Sequence, residues 1–204
     1  TDVAIEIVKE FDTPSAVLIK HANPCGVACA EDLKDAFTNA YSSDPVSAFG
    51  CILSLNRTVD EKTAEAITEP GHFVEAIAAP GFDDAAIEIL TTKRGWGKDL
   101  RLLKLNSLGD SSIKKGINDF RGVVGGLLVQ DKDMNSGDKD KLQVVTKKAP
   151  SEDEIEELLF AWKVCKHVKS NAIVFTKNKM VIGVGAGQMS RVDSTNIAIS
   201  KSGG

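Results

Sequence analysis

The 204-residue sequence has no apolar run approaching the roughly 20 residues that a membrane-crossing helix needs, and no basic-then-apolar leader opens it. Cysteine is scarce. Cys25, Cys29, Cys51 and Cys165 are too few and too scattered to frame a chain of this length with disulfides, so reduced core thiols are expected. Positive charge is not in excess either: a net charge of -4 excludes a general nucleic-acid surface and leaves room only for a small basic pocket. The cytoplasm is the expected compartment, with neither nucleic acid nor membrane as partner. Histidine occurs three times, at 21, 72 and 167. His72 and His167 show no partners in the sequence and read as structural, whereas His21 follows an apolar run and a lysine.

What is present is a chain long enough for a large core. Val3, Ile5, Ile7, Val8 and Phe11 among acids predict a short amphipathic helix ending at Asp12-Thr13-Pro14. Strands are expected at 16–19, 49–55, 73–79 and 100–105, alternating with helices at 31–41, 59–67 and 83–90. Asn23-Pro24-Cys25-Gly26 reads as a tight turn. A second series starts at 122–130 and crosses a polar, mobile loop at 131–141. It continues through a helix at 151–168, opened by a Ser151/Glu154 capping box, and a hairpin of 172–176 with 180–184 around Lys177-Asn178-Lys179. The alternation implies a layered α/β fold with at least partly parallel strands. The outline of the second half echoes the first, as an internal duplication would.

Three polar corners stand at strand ends: Lys20-His21, then Ser170-Asn171, then 185–191 in GAGQMSR. In open α/β sheets ligands gather at such ends, so the three are expected to converge on one crevice, against the plainer reading of each as turn chemistry. Zinc is disfavoured. Cys25 and Cys29 are spaced C-x-x-x-C rather than C-x-x-C, and no acid follows His21 where a deaminase needs one. GVGAG at 183–187 lacks the third glycine of a dinucleotide fingerprint, because Gln188 stands there; it suits close backbone approach to a ligand, with Arg191 near to meet an anion. The neighbours of Cys25 do not establish an activated nucleophile.

Five ordered blocks, KHANPCGVA, SDPVSAFGCILSLNR, FVEAIAAPGF, KHVKSNAIVF and VIGVGAGQMSRVDS, resemble the AICAR transformylase domain family. The resemblance runs nearly end to end. It implies transfer of a formyl group from 10-formyltetrahydrofolate to 5-aminoimidazole-4-carboxamide ribonucleotide (AICAR) by a homodimer with sites at the subunit interface. It also implies a cytidine-deaminase-like fold of two related lobes without catalytic zinc, here 1–118 and an incomplete 119–204. Potassium can bind near the second lobe in that family.

By the same resemblance Lys20 and His21 are the catalytic pair, with Asn171 near the transferring formyl group. Phe49 and Gly50 contact nucleotide and folate, Glu75 meets the nucleotide, and Arg191 meets substrate or folate anions. The chemistry suits these types: a weak amine nucleophile needs a base such as His21, and a tetrahedral oxyanion needs a cation such as Lys20. Departures accompany the match. Cys51 replaces a usual glycine and is expected to crowd the pocket edge, and the ends read as cut, so the chain is expected to be an internal piece. A noncatalytic folate- or nucleotide-binding or assembly module of the same fold is the alternative.

Overall fold

Five consecutive buried residues in Ser15–Lys20 (β1) require cover on both faces of the strand, and the computed structural model, which describes residues 1–105 and 118–203, puts β1 well inside a seven-stranded sheet. Asn23–Cys29 (β2) and Cys51–Leu55 (β3) flank it, both antiparallel. Beyond β3 lie Val74–Ala79 (β4) and Arg101–Lys104 (β5), each parallel to its inner neighbour. Beyond β2 lie Met180–Gly185 (β9) and then Ile173–Lys177 (β8) at the edge, giving the order β5-β4-β3-β1-β2-β9-β8. Parallel pairing is confined to β3-β4-β5. There Glu61–Ile67 (α4) and Asp84–Thr92 (α5) provide the crossovers that parallel strands require, whereas β1–β2 and β8–β9 are tight hairpins.

Because successive strand residues face opposite ways, β1 feeds two cores. Leu18 joins Leu53, Leu55 and Ile77 under α4, α5 and Leu33–Ser42 (α2), with Phe37 at the centre. Val17 and Ile19 face the other way, with Val27 and Val181, toward Asp2–Val8 (α1) and Glu152–Cys165 (α6), which contribute Ile7, Val8, Phe160 and Val164. The capping box expected at Ser151 and Glu154 is formed. A four-residue helix, Pro45–Ala48 (α3), was not expected; Asp44 caps it by accepting from the Ser47 amide. Cys51 is fully buried in the first core, so the expectation that it crowds the pocket edge is corrected: its side chain turns into the sheet–helix interior.

Asn118–Val123 (β6) and Gly126–Asp131 (β7) form a separate, exposed two-stranded ribbon, not a strand of the main sheet. The polar segment after it is tied to α1: Lys132 pairs with Glu6 at 2.6 Å, and Ser136 donates to Glu10. Glu10 also receives Lys166 at 2.8 Å and His167 at 3.3 Å, so His167 does have a partner. Burial pushes the Glu10 carboxyl up, but the hydrogen bonds from His167, Lys166 and Ser136 outweigh it and hold the group at about 2, against an ordinary 4.5. A depressed carboxyl stabilises the fold above its unfolded pKa and loses that contribution as pH falls through its folded one. Between about pH 4.5 and pH 2 the chain is therefore expected to lose about 2 kcal/mol that Glu10→Gln lacks throughout, a value reduced from the full shift for solvent screening. Urea midpoints of both proteins across that range check this; parallel curves would dismiss the cluster as a source of stability.

The two halves repeat one device. Gly26 is the fourth residue of β2, and a Cβ there would meet the carbonyl of Ala40, the eighth residue of α2. Gly183 is the fourth residue of β9, and its Cβ would meet the carbonyl of Ala198, the eighth residue of Arg191–Lys201 (α7). Each helix is capped by a side chain, Asp32 or Ser190, that accepts from the amide of an aspartate at its third position, Asp35 or Asp193. Each hairpin turn holds left-handed residues, His21 in one and Asn178 with Lys179 in the other.

Candidate functional site

The hairpin turn between β1 and β2 is His21-Ala22, with Lys20 paired directly to Asn23. The Asn23–Gly26 turn read from the sequence is thus corrected: those residues belong to β2. Pro24 is accommodated because the ladder is irregular there, with Leu18 opposite Gly26 but Ile19 opposite Pro24, which leaves Cys25 as the extra residue of a bulge. His21 adopts φ 57, a left-handed conformation, and its side chain is exposed.

Lys20 reaches sideways to the next corner. Its Nζ donates to the carbonyls of Phe49 at 2.6 Å and Gly50 at 3.0 Å. Gly50 has φ 70, and a Cβ on it would lie 3.2 Å from Lys20 Nζ, so the left-handed turn and the ammonium need the glycine. The Phe49 ring packs edge-on against Phe73 at 5.2 Å yet is 55% exposed, leaving a flat apolar face open.

The second and third corners form one unit. Gly187 N donates to Lys169 O, and Asn171 N to Gln188 O, both at 3.0 Å. Asn171 Nδ2 donates to the carbonyls of Gln188 at 3.1 Å and Met189 at 2.8 Å, while its Oδ1 accepts from Arg191 at 3.4 Å. The unit is fastened to the first corner by Lys169 N, which donates to Asn23 Oδ1 at 3.0 Å.

A cleft of about 280 Å³ lies where the corners meet, walled by Lys20, His21 and Asn23 on one side and by Ala186 and Gln188 on another. Asp44 and Lys201 close a third side as an ion pair at 2.7 Å. Burial disfavours the charged Asp44 carboxylate, but Lys201 and Ser47 hold it below the usual range. The first and third corners therefore share this cleft, while Asn171 of the second is outside its lining and joins through hydrogen bonds to Gln188 and Met189.

Not every expected residue arrives. Of the expected site residues only Lys20 and His21 line the cleft; Asn171, Arg191, Phe49, Gly50 and Glu75 are outside its lining, and Glu75 points from β4 into an exposed ion pair with Arg101 at 3.4 Å. Arg191 reaches the site through Asn171, and Phe49 and Gly50 through Lys20. Cys25 lines the cleft, but burial, reinforced by the Asp44 charge, pushes its thiol up to about 12, so it stays protonated near neutral pH. Cys25 packs with the first core while Cys29, which accepts from Ser15 Oγ at 3.2 Å, belongs to the second, so the pair cannot close on one metal ion. Among the described residues no three His, Cys, Asp or Glu side chains gather as a metal-binding group, and no helix is long and apolar enough to cross a membrane. His72 is half-buried, with Nδ1 3.0 Å from Ala66 O and its ring 3.9 Å from Tyr41.

Asn23, Asp44 and Lys201 were not singled out from the sequence. The first stands in a stretch that reads as a turn, and nothing local links the other two. An exposed imidazole, a hydrogen-bonded ammonium and carboxamides at one cleft, with an open aromatic face at the adjoining corner, suit transfer of an acyl group to a nitrogen or oxygen nucleophile.

Residues 1–201 match the family model described as "AICARFT/IMPCHase bienzyme". The chain is similar to bifunctional purine biosynthesis proteins PurH. It is 52% identical over 199 residues to that of Magnetococcus marinus, covering 97% of this chain and 36% of the relative. It is 50% identical over 200 residues to that of Acetivibrio thermocellus, covering 98% and 38%. With Caldicellulosiruptor saccharolyticus the identity is 50% over 202 residues, covering 99% and 37%. The chain thus spans less than two-fifths of the length of these relatives.

Proposed function

The chain belongs to the AICARFT/IMPCHase bienzyme family, and from that membership we propose that its cleft carries the formyl-transfer chemistry of purine biosynthesis, from 10-formyltetrahydrofolate to AICAR. The observation that carries the reading is a cleft lined by Lys20, His21, Asn23 and Gln188, with Lys169 and Asn171 fastened to it through hydrogen bonds to Asn23 and Gln188. The AICAR amine nitrogen attacks the formyl carbon, the bond from that carbon to folate N10 breaks, and the proton lost by the amine ends on N10. His21, exposed at the turn, takes the amine proton as the new C–N bond forms. Lys20, held beside the Phe49 corner, stabilises the oxyanion or delivers a proton to the departing nitrogen. The exposed Phe49 face receives a flat ring, and Arg191, aligned by Asn171, meets an anionic group of nucleotide or folate.

We read the architecture as two cytidine-deaminase-like lobes, 1–118 and 119–204, joined across β2 and β9. The support is the repeated glycine-to-helix contact and the repeated cap. The boundary adjoins residues 106–117, which lie outside the described set. A homodimer is part of the proposal. Phe120, Leu127, Leu128 and Val129 are exposed on a two-stranded ribbon, a unit marginal in water unless covered.

The test is formyl transfer by the purified chain, followed by tetrahydrofolate absorbance, with binding of each substrate measured alongside. Turnover is expected. Binding of both substrates without turnover would replace this reading with the binding-module alternative, and a folded chain that binds neither would end both.

A further inference from the structure

We propose that Asn23 supplies the side-chain amide donor for the reacting carbonyl oxygen of the acyl donor, an assignment that rests on the formyl-transfer reading. The geometry points to Asn23 because of how each amide in or beside the cleft is committed. Both donor contacts of Asn171 Nδ2 go to backbone carbonyls, and its Oδ1 is turned to Arg191. Gln188 Nε2 gives one of its two N–H donors to Ala186 O at 3.3 Å, and nothing among the described residues holds its carboxamide oxygen. Asn23 differs. Its Oδ1 accepts from Lys169 N, which fixes the rotation of the carboxamide, since a backbone N–H must meet the oxygen and not the NH2. Its Nδ2 then has no hydrogen-bond partner among the described residues, and the residue lines the cleft.

The position is favourable. Lys20 and Asn23 are direct partners across an antiparallel pair, so their side chains project from the same face with Cβ atoms roughly 5 Å apart. Both residues line the cleft, with the Lys20 ammonium turned toward Phe49 and Gly50 and the Asn23 carboxamide toward Lys169. As the amine attacks, the carbonyl oxygen gains negative charge, and a neutral N–H donor already locked in place stabilises it without having to reorganise. One carboxamide thus does two things: its oxygen holds the Lys169–Asn171 corner, and its nitrogen faces the substrate.

Two substitutions separate these roles. Asn23→Asp keeps an acceptor for Lys169 N and removes both donors; Asn23→Ala removes everything. On the chain carrying 15N-labelled asparagine, addition of a stable formyl-bearing folate, 5-formyltetrahydrofolate, is expected to move the Asn23 Nδ2 resonances and leave those of Asn171 in place. Asn23→Asp is expected to keep the Lys169 amide protected from hydrogen exchange while kcat falls about 10²–10³-fold, with the KM for AICAR little changed. Asn23→Ala should lose both protection and turnover. An Asn23→Asp protein with wild-type kcat, or unmoved Asn23 resonances in a chain that binds the folate, overturns the assignment alone. A wild-type chain that neither binds folate nor turns over overturns the formyl-transfer reading and this assignment with it.

Discussion

Gly26→Ala is expected to leave the chain without a cooperative unfolding transition. The added Cβ would lie 1.9 Å from the Ala40 carbonyl oxygen and 2.8 Å from its carbon, and neither atom belongs to a side chain that can rotate away. Relief would require α2 to lift off β2, taking Phe37, Ala36 and Leu33 out of the larger core. Overpacking by one carbon costs about 1–3 kcal/mol where side chains yield, and more is expected here because backbone is struck. A loss of about 4 kcal/mol or more removes much of the roughly 5–15 kcal/mol that holds a domain together. Gly185→Ala should behave alike, since its Cβ would meet the Ser194 carbonyl at 1.8 Å. Gly71→Ala is the control: φ is +89 but nothing lies within 4 Å, so only backbone strain of about 1–3 kcal/mol applies. Urea titrations of the three variants decide the matter, and a Gly26→Ala protein as stable as Gly71→Ala would mean that α2 does not rest on β2.

Lys20→Ala is expected to lower kcat for formyl transfer by about 10²–10⁴-fold, the range for a general acid or an oxyanion donor, while the thermal midpoint moves by only a few degrees. The small structural effect follows from the partners. Lys20 Nζ is bonded to the carbonyls of Phe49 and Gly50 at the rim of the sheet, and water can replace the ammonium there. Gly50→Ala attacks the same contact from the other side. Its Cβ would crowd Nζ at 3.2 Å from a backbone at φ +70, so a fall in turnover is expected with Lys20 still present. Stopped-flow turnover beside calorimetry separates catalysis from folding. Lys20→Ala turnover within a few-fold of wild type would remove Lys20 from the mechanism.

The elements with strong local signals were legible. The capping box at Ser151, the apolar run of β1 and the hairpin around Asn178 are each encoded within a few residues, where caps, periodicity and turn chemistry act. Asn23-Pro24-Cys25-Gly26 misled because proline and glycine punctuate turns locally. Whether they instead occupy a bulge depends on the strand opposite, here β1. Glu10 and His167 illustrate the same limit: they are 157 positions apart, and nothing near either announces the other.

Lys20, His21, Asn171 and Arg191 could be singled out as polar residues at strand ends, and Phe49 and Gly50 because the block that holds them resembles a known family. Resemblance did not say which groups face the cleft. Glu75 points to Arg101 instead, Cys51 lies in the core, and Asp44 pairs with Lys201 from the far end of the chain. By itself the sequence determined most of the helices and strands, the capping box at Ser151 and the family, all carried by contacts within a turn or two and by contiguous motifs, but not β2 or α3. Only the tertiary structure decided that β9 lies against β2 and so brings Lys169 to Asn23 and Asn171 into the unit beside Lys20. That pairing rests on burying the apolar faces of the whole sheet between two helical layers, a condition that no local stretch of the chain can state.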